Sequence, residues 1–210
     1  MANLSLFSQS GLIITRTSLR TSFVGGGTDF PDFYQHNDGA VLSTAIDKYV
    51  YVILKKHNEI FDEPIRLNYS ETEHARNIDD IKNDIARECL RFLPIDLPIF
   101  ISTIADVPAA SGLGSSSAFA VGLLNALHTN RGERVSPGQL AEEAAYIEIE
   151  RLKRPIGKQD HYSAAYGGIN LIRFLSDGNV SVQAQTFGEP GADYFFSHLM
   201  LFWTSVVREA

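Results

Sequence analysis

The chain has 210 residues, 44% hydrophobic, 10% aromatic and 20% charged, enough to bury one sizeable core and unlike the composition of a disordered tail. Eighteen Lys and Arg against 25 Asp and Glu leave a formal charge of −7, and no basic run is present to follow a phosphate backbone or a membrane surface, which argues against a nucleic-acid partner. Cys89 is the single cysteine, which excludes an internal disulfide and a Cys-rich zinc site; with no apolar stretch near the roughly 20 residues of a membrane span and no secretory pattern in MANLSLFSQS, a cytoplasmic protein is expected.

Residues 12–24 (LIITRTSLRTSFV) are rich in β-branched and apolar types and stop at Gly25-Gly26-Gly27, so a strand is expected to run into a glycine loop. Residues 39–56 read as two strands or one long bent strand, and 66–69 as a short strand followed by a polar loop, SETEHARN. Ile78, Ile81, Ile85, Cys89 and Phe92 recur at the spacing of one helical face, predicting a helix from about Asn77 that ends at Pro94, with Cys89 as a small buried apolar residue. Residues 97–107 form another extended apolar run. After a loop of small residues, the run AFAVGLLNALH is almost continuously apolar and predicts a buried helix.

Ser136-Pro137-Gly138-Gln139 combines a capping Ser, a Pro at the first helical position and a Gln three residues after the cap, so a helix is expected from there to about Lys153, before Pro155. Residues 156–170 read as a loop and a small-residue segment. Residues 169–175 and 180–186 flank Asp177-Gly178 as a hairpin, and 199–204 read as one more buried strand.

The segment Pro108-Ala109-Ala110-Ser111-Gly112-Leu113-Gly114-Ser115-Ser116-Ser117 lies between a strand and a helix, where only small residues line the turn and the first helical N–H groups have no intrahelical partner. Such a turn can cradle phosphate oxygens, with serine hydroxyls as further donors or as a ligand for Mg²⁺. It is neither a Walker A loop, since no Lys-Ser/Thr follows, nor a dinucleotide fingerprint, since Ser117 stands where the third glycine belongs. A plain tight turn with a serine cap fits the same residues.

Taken with two other segments, this loop resembles the ATP-phosphate motif of the GHMP small-molecule kinases, departing at Ser117 where alanine is usual. Arg20-Thr21-Ser22-Phe23-Val24-Gly25-Gly26-Gly27-Thr28-Asp29 resembles the N-terminal motif of the sugar-kinase members, and Gly157-Lys158-Gln159-Asp160 with Gly167-Gly168 resembles the segment that carries the catalytic aspartate. GGGTD, GAVLSTAIDKY and GKQDHYSAAYGG are most similar to the D-glycero-D-manno-heptose 7-phosphate kinases, with the fucokinases next.

The resemblance implies an α+β fold: residues 1–190 as an ATP-binding domain of mixed sheet with helices on one side, and 191–210 as the beginning of a ferredoxin-like C-terminal domain whose own glycine-rich motif is not found, so that a shortened chain is expected. It also implies transfer of the ATP γ-phosphoryl group to the anomeric hydroxyl of heptose 7-phosphate, giving the 1,7-bisphosphate, with ATP and Mg²⁺ required. Asp160 matches the catalytic aspartate and Arg20 the cation that faces the transferred group. Pro108, Ser111, Gly112, Leu113, Gly114, Ser115, Ser116 and Ser117 match the ATP loop. Gly25, Gly26, Gly27, Thr28 and Asp29 match the sugar-binding segment, and Lys158 is a candidate to tune Asp160 or meet a substrate phosphate. Ser116 matches the magnesium-binding serine and Glu150 its acidic partner, with Glu148 the competing carboxylate on the same helix. His161 reads as a structural neighbour of Asp160.

A fucokinase-type sugar 1-kinase and a non-catalytic ATP- or sugar-binding sensor are the competing functions; a dinucleotide oxidoreductase lacks both its third glycine and a βαβ repeat. The expected partners are ATP and a sugar phosphate, with neither membrane nor nucleic acid, and an exposed apolar strand at 199–203 would let the chain pair as a homodimer.

Overall fold

The computed structural model describes residues 11–57, 60–109, 111–188 and 191–202. Strand β1 (Ile13–Val24) runs antiparallel to β2 (Gly39–Lys56), an unbroken strand of 18 residues, with α1 (Pro31–Tyr34) in the connection. The first half of β2 pairs with β6 (Ile169–Phe174) and the second half with β5 (Ile99–Ala105), both antiparallel. The sheet thus has two lobes sharing β1 and β2. One continues through β5 to β3 (Ile65–Asn68) and β4 (Thr72–Ala75), and the other through β6 to β7 (Val180–Ala184). Among the described residues only the β3–β5 pairing is parallel, so the sheet is mixed, as expected.

Helix α3 (Ser115–Asn130) lies across β1 and β2. Its residues from Ser117 to Leu124 are buried without interruption, because a helix that is apolar on every side must be covered on every side. Leu123, Leu124 and Leu127 meet Leu19, Val52, Leu54 and Ile101 in the main core, each such side chain contributing about 1.5–3 kcal/mol of burial. Thr15 donates from Oγ1 to the Gly122 carbonyl at 2.8 Å, which ties the helix to β1. Over the other lobe, Tyr34, Val41, Tyr162, Ile172 and Phe174 form a smaller core.

Helices α2 (Asp84–Phe92), α4 (Pro137–Ala145) and α5 (Gln159–Tyr166) pack around α3. Ser136 caps α4 by accepting the Gln139 N–H at 3.1 Å, as its sequence predicts, and the helical path continues through a π-helical turn, Tyr146–Arg151. A short helix, α6 (Gly191–Ser197), follows β7 and touches Phe23 through Phe195, with ring centroids 5.4 Å apart.

Four expectations need correction. The polar stretch after residue 69 contains β4, whose alternation places Glu73 and Ala75 inward; Glu73 is an inward carboxylate that hides the strand's pattern. The helix expected from Asn77 begins at Asp84 instead: Ile78–Asp80 form one 3₁₀ turn, and Asn83 caps α2 by accepting the Ala86 N–H at 2.9 Å. Residues 159–166, read as loop and small-residue segment, are helical. Residues 199–202 form no strand and are exposed, Phe202 by 78%, while 203 and 204 lie outside the described residues.

Candidate active site

The Gly-Ser loop delivers the chain from β5 to α3, and Gly114 occupies the N-cap position with φ +77°, a left-handed conformation that a side chain disfavours. No side chain caps α3, and Ser115, Ser116 and Ser117 all lie within its first turn. The serine-capped turn is therefore not what forms. The leading amides of a 16-residue helix are left for an anion, where the helix dipole favours negative charge. Ser111 Oγ in the same loop is buried without a hydrogen-bond partner among the described residues.

Arg20, in the middle of β1, reaches the start of α5: its Nε donates to Asp160 Oδ1 at 2.7 Å and its Nη2 lies 2.5 Å from the same oxygen. Nη1 donates to the Gly112 carbonyl at 3.0 Å, and the Arg20 backbone N–H to the Leu113 carbonyl at 3.2 Å. A Cβ placed on Gly114 would sit 3.2 Å from Asp160 Oδ2 and 3.5 Å from Arg20 Cγ. The loop, the guanidinium and the carboxylate thus form one surface. Arg20 and Asp160 both keep part of their side chains in solvent, 15% and 24%, as groups that meet a ligand must.

Asp29 and Lys158 are each held by partners within the chain. Asp29 is fully buried, accepting from the Gly27 N–H at 3.0 Å, the Gln159 N–H at 3.0 Å and Gln159 Nε2 at 3.2 Å. Its carboxylate lies so close over Gly157 that a Cβ there would collide with it, so Asp29 fastens the glycine loop to the start of α5. Gln159, unmarked in the sequence, completes the fastening by accepting Ser22 Oγ–H at 2.8 Å. Thr28 donates to the Gly25 carbonyl at 2.8 Å and shapes the loop from within, and Gly25 and Gly27 hold φ values of +93° and +94°. Lys158 is drawn away by Glu142, with Nζ 3.2 Å from Oε2, while Tyr162 also donates its hydroxyl to Glu142. Burial, with Glu142 close by, pushes the Tyr162 phenol well above its ordinary value.

Ser116 meets Glu148 rather than Glu150. Ser116 Oγ donates to Glu148 Oε1 at 2.9 Å, and Glu148 has no exposed surface. Glu150 points outward to Lys153 at 3.3 Å, 57% exposed. Glu148 follows the buried Ala141 and Ala144 at the spacing of one helical face, whereas Glu150 falls on the opposite side of the same helical path. Arg154 donates to Glu148 Oε1 at 2.7 Å and His161 Nε2 lies 2.9 Å from Oε2. Burial pushes the Glu148 carboxyl up, but the bond to His161, the charges of His161 and Arg154 and the Ser116 hydroxyl outweigh it and hold the carboxyl below its ordinary value. An ionised carboxylate and a hydroxyl make an oxygen-only pair that suits Mg²⁺, which takes its other oxygens from phosphates and water. Among the described residues no group of three or more His, Cys, Asp or Glu could hold a metal by itself.

Beside the loop opens a cavity of about 420 Å³, lined by Tyr69, Asn83, Thr103, Val107, Pro108, Ser116 and Phe119 among others. The walls are mainly apolar, as a flat heteroaromatic ring requires. Glu73 secures the wall nearest β4: it accepts Tyr69 O–H at 2.7 Å and the N–H groups of Lys82 at 2.6 Å and Asn83 at 3.0 Å. Burial raises the Glu73 carboxyl, and these bonds more than reverse it; the Tyr69 phenol, by burial and the same bond, is pushed up to about 12.

Residues 78–168 match the family model of the GHMP kinases N terminal domain. The chain is 31% identical over 207 residues to a D-glycero-alpha-D-manno-heptose 7-phosphate kinase of Campylobacter jejuni, covering 94% of this chain and 61% of that protein. It is 27% identical over 162 residues to a galactokinase of Thermotoga maritima, covering 74% and 44%. The crystal structure of a D-glycero-D-manno-heptose 1-phosphate kinase from Bacteroides thetaiotaomicron superposes with a TM-score of 0.75 at 25% identity, over 84% of this chain and 60% of that one. A mevalonate kinase from Methanococcus jannaschii, at 18% identity and a TM-score of 0.63, shares the fold. The chain spans about three-fifths of the length of the heptose kinases it matches. No helix among the described residues is long and apolar enough to cross a membrane. Residues 78–168 are thus matched as a GHMP kinase N-terminal domain, and the described residues take the GHMP kinase fold.

Proposed function

We propose that this chain is the ATP-binding part of a cytoplasmic sugar kinase that transfers the γ-phosphoryl group of ATP to the anomeric hydroxyl of D-glycero-D-manno-heptose 7-phosphate. The observation that carries the reading is the Arg20–Asp160 pair set against Gly114 at the uncapped start of α3. It joins a phosphate cradle, a permanent cation and a carboxylate at one point. The heptose is favoured over fucose by two of the named relatives, the heptose phosphate kinases, whose names differ in the position of the phosphate. Residues 191–210 then open the C-terminal domain.

In this reading the base of ATP enters the cavity beside Tyr69 and Phe119, and its phosphates lie over the first turn of α3. Ser116 and Glu148 would hold Mg²⁺, which supplies charge neutralisation on the phosphate oxygens when bound. The sugar hydroxyl attacks the γ-phosphorus, the bond from that phosphorus to the bridging oxygen breaks, and ADP leaves with the bridging oxygen. Asp160 orients the hydroxyl and accepts its proton, and Arg20 offsets the charge on the transferred group. Since Oδ1 of Asp160 is taken by Arg20, Oδ2 is the oxygen left for the sugar. Asp29, Gln159 and Ser22 act through position, holding the glycine loop beside α5.

Phosphorus NMR of the chain with Mg-ATP and heptose 7-phosphate, beside a parallel tube with fucose, tests the reading. A new anomeric phosphate in the heptose tube alone is expected. Product with fucose alone would reassign the substrate, and bound ATP with no product in either tube would point to a sensor or to an inactive fragment, which the same tubes with a longer chain decide.

A further inference from the structure

Glu148 shares its cation with a second carboxylate. Arg154 donates from Nη1 to Glu148 Oε1 at 2.7 Å and from Nη2 to both oxygens of Asp84, at 2.9 and 3.0 Å. Glu148 is wholly enclosed, whereas the Asp84 side chain is 42% exposed. An enclosed carboxylate needs polar and charged partners, and Arg154 shares that task with the His161 ring and the Ser116 hydroxyl. Glu148 Oε1 already accepts from both Arg154 and Ser116, and Oε2 faces His161. A divalent ion seated between Ser116 and Glu148 must therefore take over the oxygen that Arg154 holds.

Asp84 gives Arg154 somewhere to go. It is the first residue of α2, and its neighbours Asn83 and Ile85 line the 420 Å³ cavity. Resting on the proposed nucleotide reading of that cavity and of the Ser116–Glu148 pair, we propose that Arg154 is a positioning residue that serves as the exchangeable counter-cation of the metal site. It bridges Glu148 and Asp84 when no metal is bound and keeps Asp84 alone when Mg²⁺ arrives with the nucleotide, which ties the start of α2, and so the cavity wall, to the loading of the metal site. Two carboxylates competing for one guanidinium give the exchange a direction: weakening the Arg154–Glu148 contact should favour metal, and weakening Arg154–Asp84 should oppose it.

The test is Mn²⁺ uptake, read from the loss of the free-ion EPR signal, by the full chain with and without a non-hydrolysable ATP analogue. One Mn²⁺ per chain in the presence of the analogue is expected of the wild type. R154M removes the competing charge and is expected to tighten Mn²⁺ binding without nucleotide by about tenfold, the effect of one unit charge a few ångströms from the ion. D84N leaves Arg154 wholly to Glu148 and is expected to weaken Mn²⁺ binding in the presence of the analogue by a similar factor, while R154K, which keeps the charge, stays near wild type. Opposite signs for R154M and D84N are the result a merely structural role cannot produce. Equal signs, or no change in either folded variant, overturn the proposal. Should R154M not fold, R154K decides with D84N: near-wild-type uptake for R154K beside weakened uptake for D84N supports the exchange, and any other pairing overturns it. Wild-type chain that binds the analogue but no Mn²⁺ overturns the metal reading itself, and the exchange with it.

Discussion

Arg20 and Asp160 stand 140 residues apart in the chain, yet two guanidinium nitrogens of one lie 2.7 and 2.5 Å from a single carboxylate oxygen of the other. The third Arg20 nitrogen is on the Gly112 carbonyl, so the pair is fixed at both ends. Arg20→Ala is predicted to lower kcat by about 10²–10³, with the KM for ATP changing much less, because the lost interaction is strongest where charge builds on the transferred group. Arg20→Lys should recover only part of the loss, since an ammonium cannot hold Asp160 and Gly112 with the same planar fork. Steady-state kinetics of both variants check this.

Gly114→Ala should damage activity more than stability. Its left-handed φ of +77° costs a side chain about 1–2 kcal/mol, equivalent to a fall in Tm of about 2–8 °C for a chain of this size. The new Cβ, 3.2 Å from Asp160 Oδ2, would also push the carboxylate by a few tenths of an ångström. A drop in kcat of about tenfold or more beside that modest thermal shift is expected, since catalytic geometry tolerates less displacement than packing does.

Glu73 sets a pH dependence of stability. Its folded carboxyl titrates below the ordinary 4.5, so its contribution is fully present above that value and is lost as the pH falls through the lower folded value. Tyr69 works in the other direction. With its phenol raised from 10.0 to about 12, its contribution is present below pH 10 and lost as the pH rises through about 12. Glu73→Gln places an amide NH₂ where at least one N–H donor points, and should cost about 1–3 kcal/mol at pH 7 with a smaller difference from wild type at pH 3. Denaturant titrations at the two pH values measure it.

Much of the fold was legible because local signals and tertiary packing agree. The β-branched run of β1, the all-round apolar α3 and the Ser136 cap with Pro137 each need only their own residues to be read. Strand β4 was not legible, because the inward Glu73 serves loop N–H groups and Tyr69 rather than an apolar core. The break before α2 was hidden because Ile78 and Ile81 continue the helical spacing by packing into the same core from a 3₁₀ turn and an extended residue. At the site, the loop, Arg20 and Asp160 could be named from motif and chemistry together. The choice of Glu148 over Glu150 was open to spacing alone, since Glu148 lies seven and four residues after the buried Ala141 and Ala144 and Glu150 falls on the opposite face. The fastening of Asp29 under Gly157 and Gln159 was not legible, because nothing in the sequence says that these residues fold over it.

The most direct test of the account is phosphoryl transfer from Mg-ATP to heptose 7-phosphate by the wild-type chain and by Asp160→Asn, followed by phosphorus NMR, with ATP binding by each measured separately. The account predicts an anomeric phosphate signal from the wild type, a rate lower by about 10²–10⁴ for the variant, and ATP affinity within a few-fold of wild type. Equal rates from the two folded proteins would contradict it.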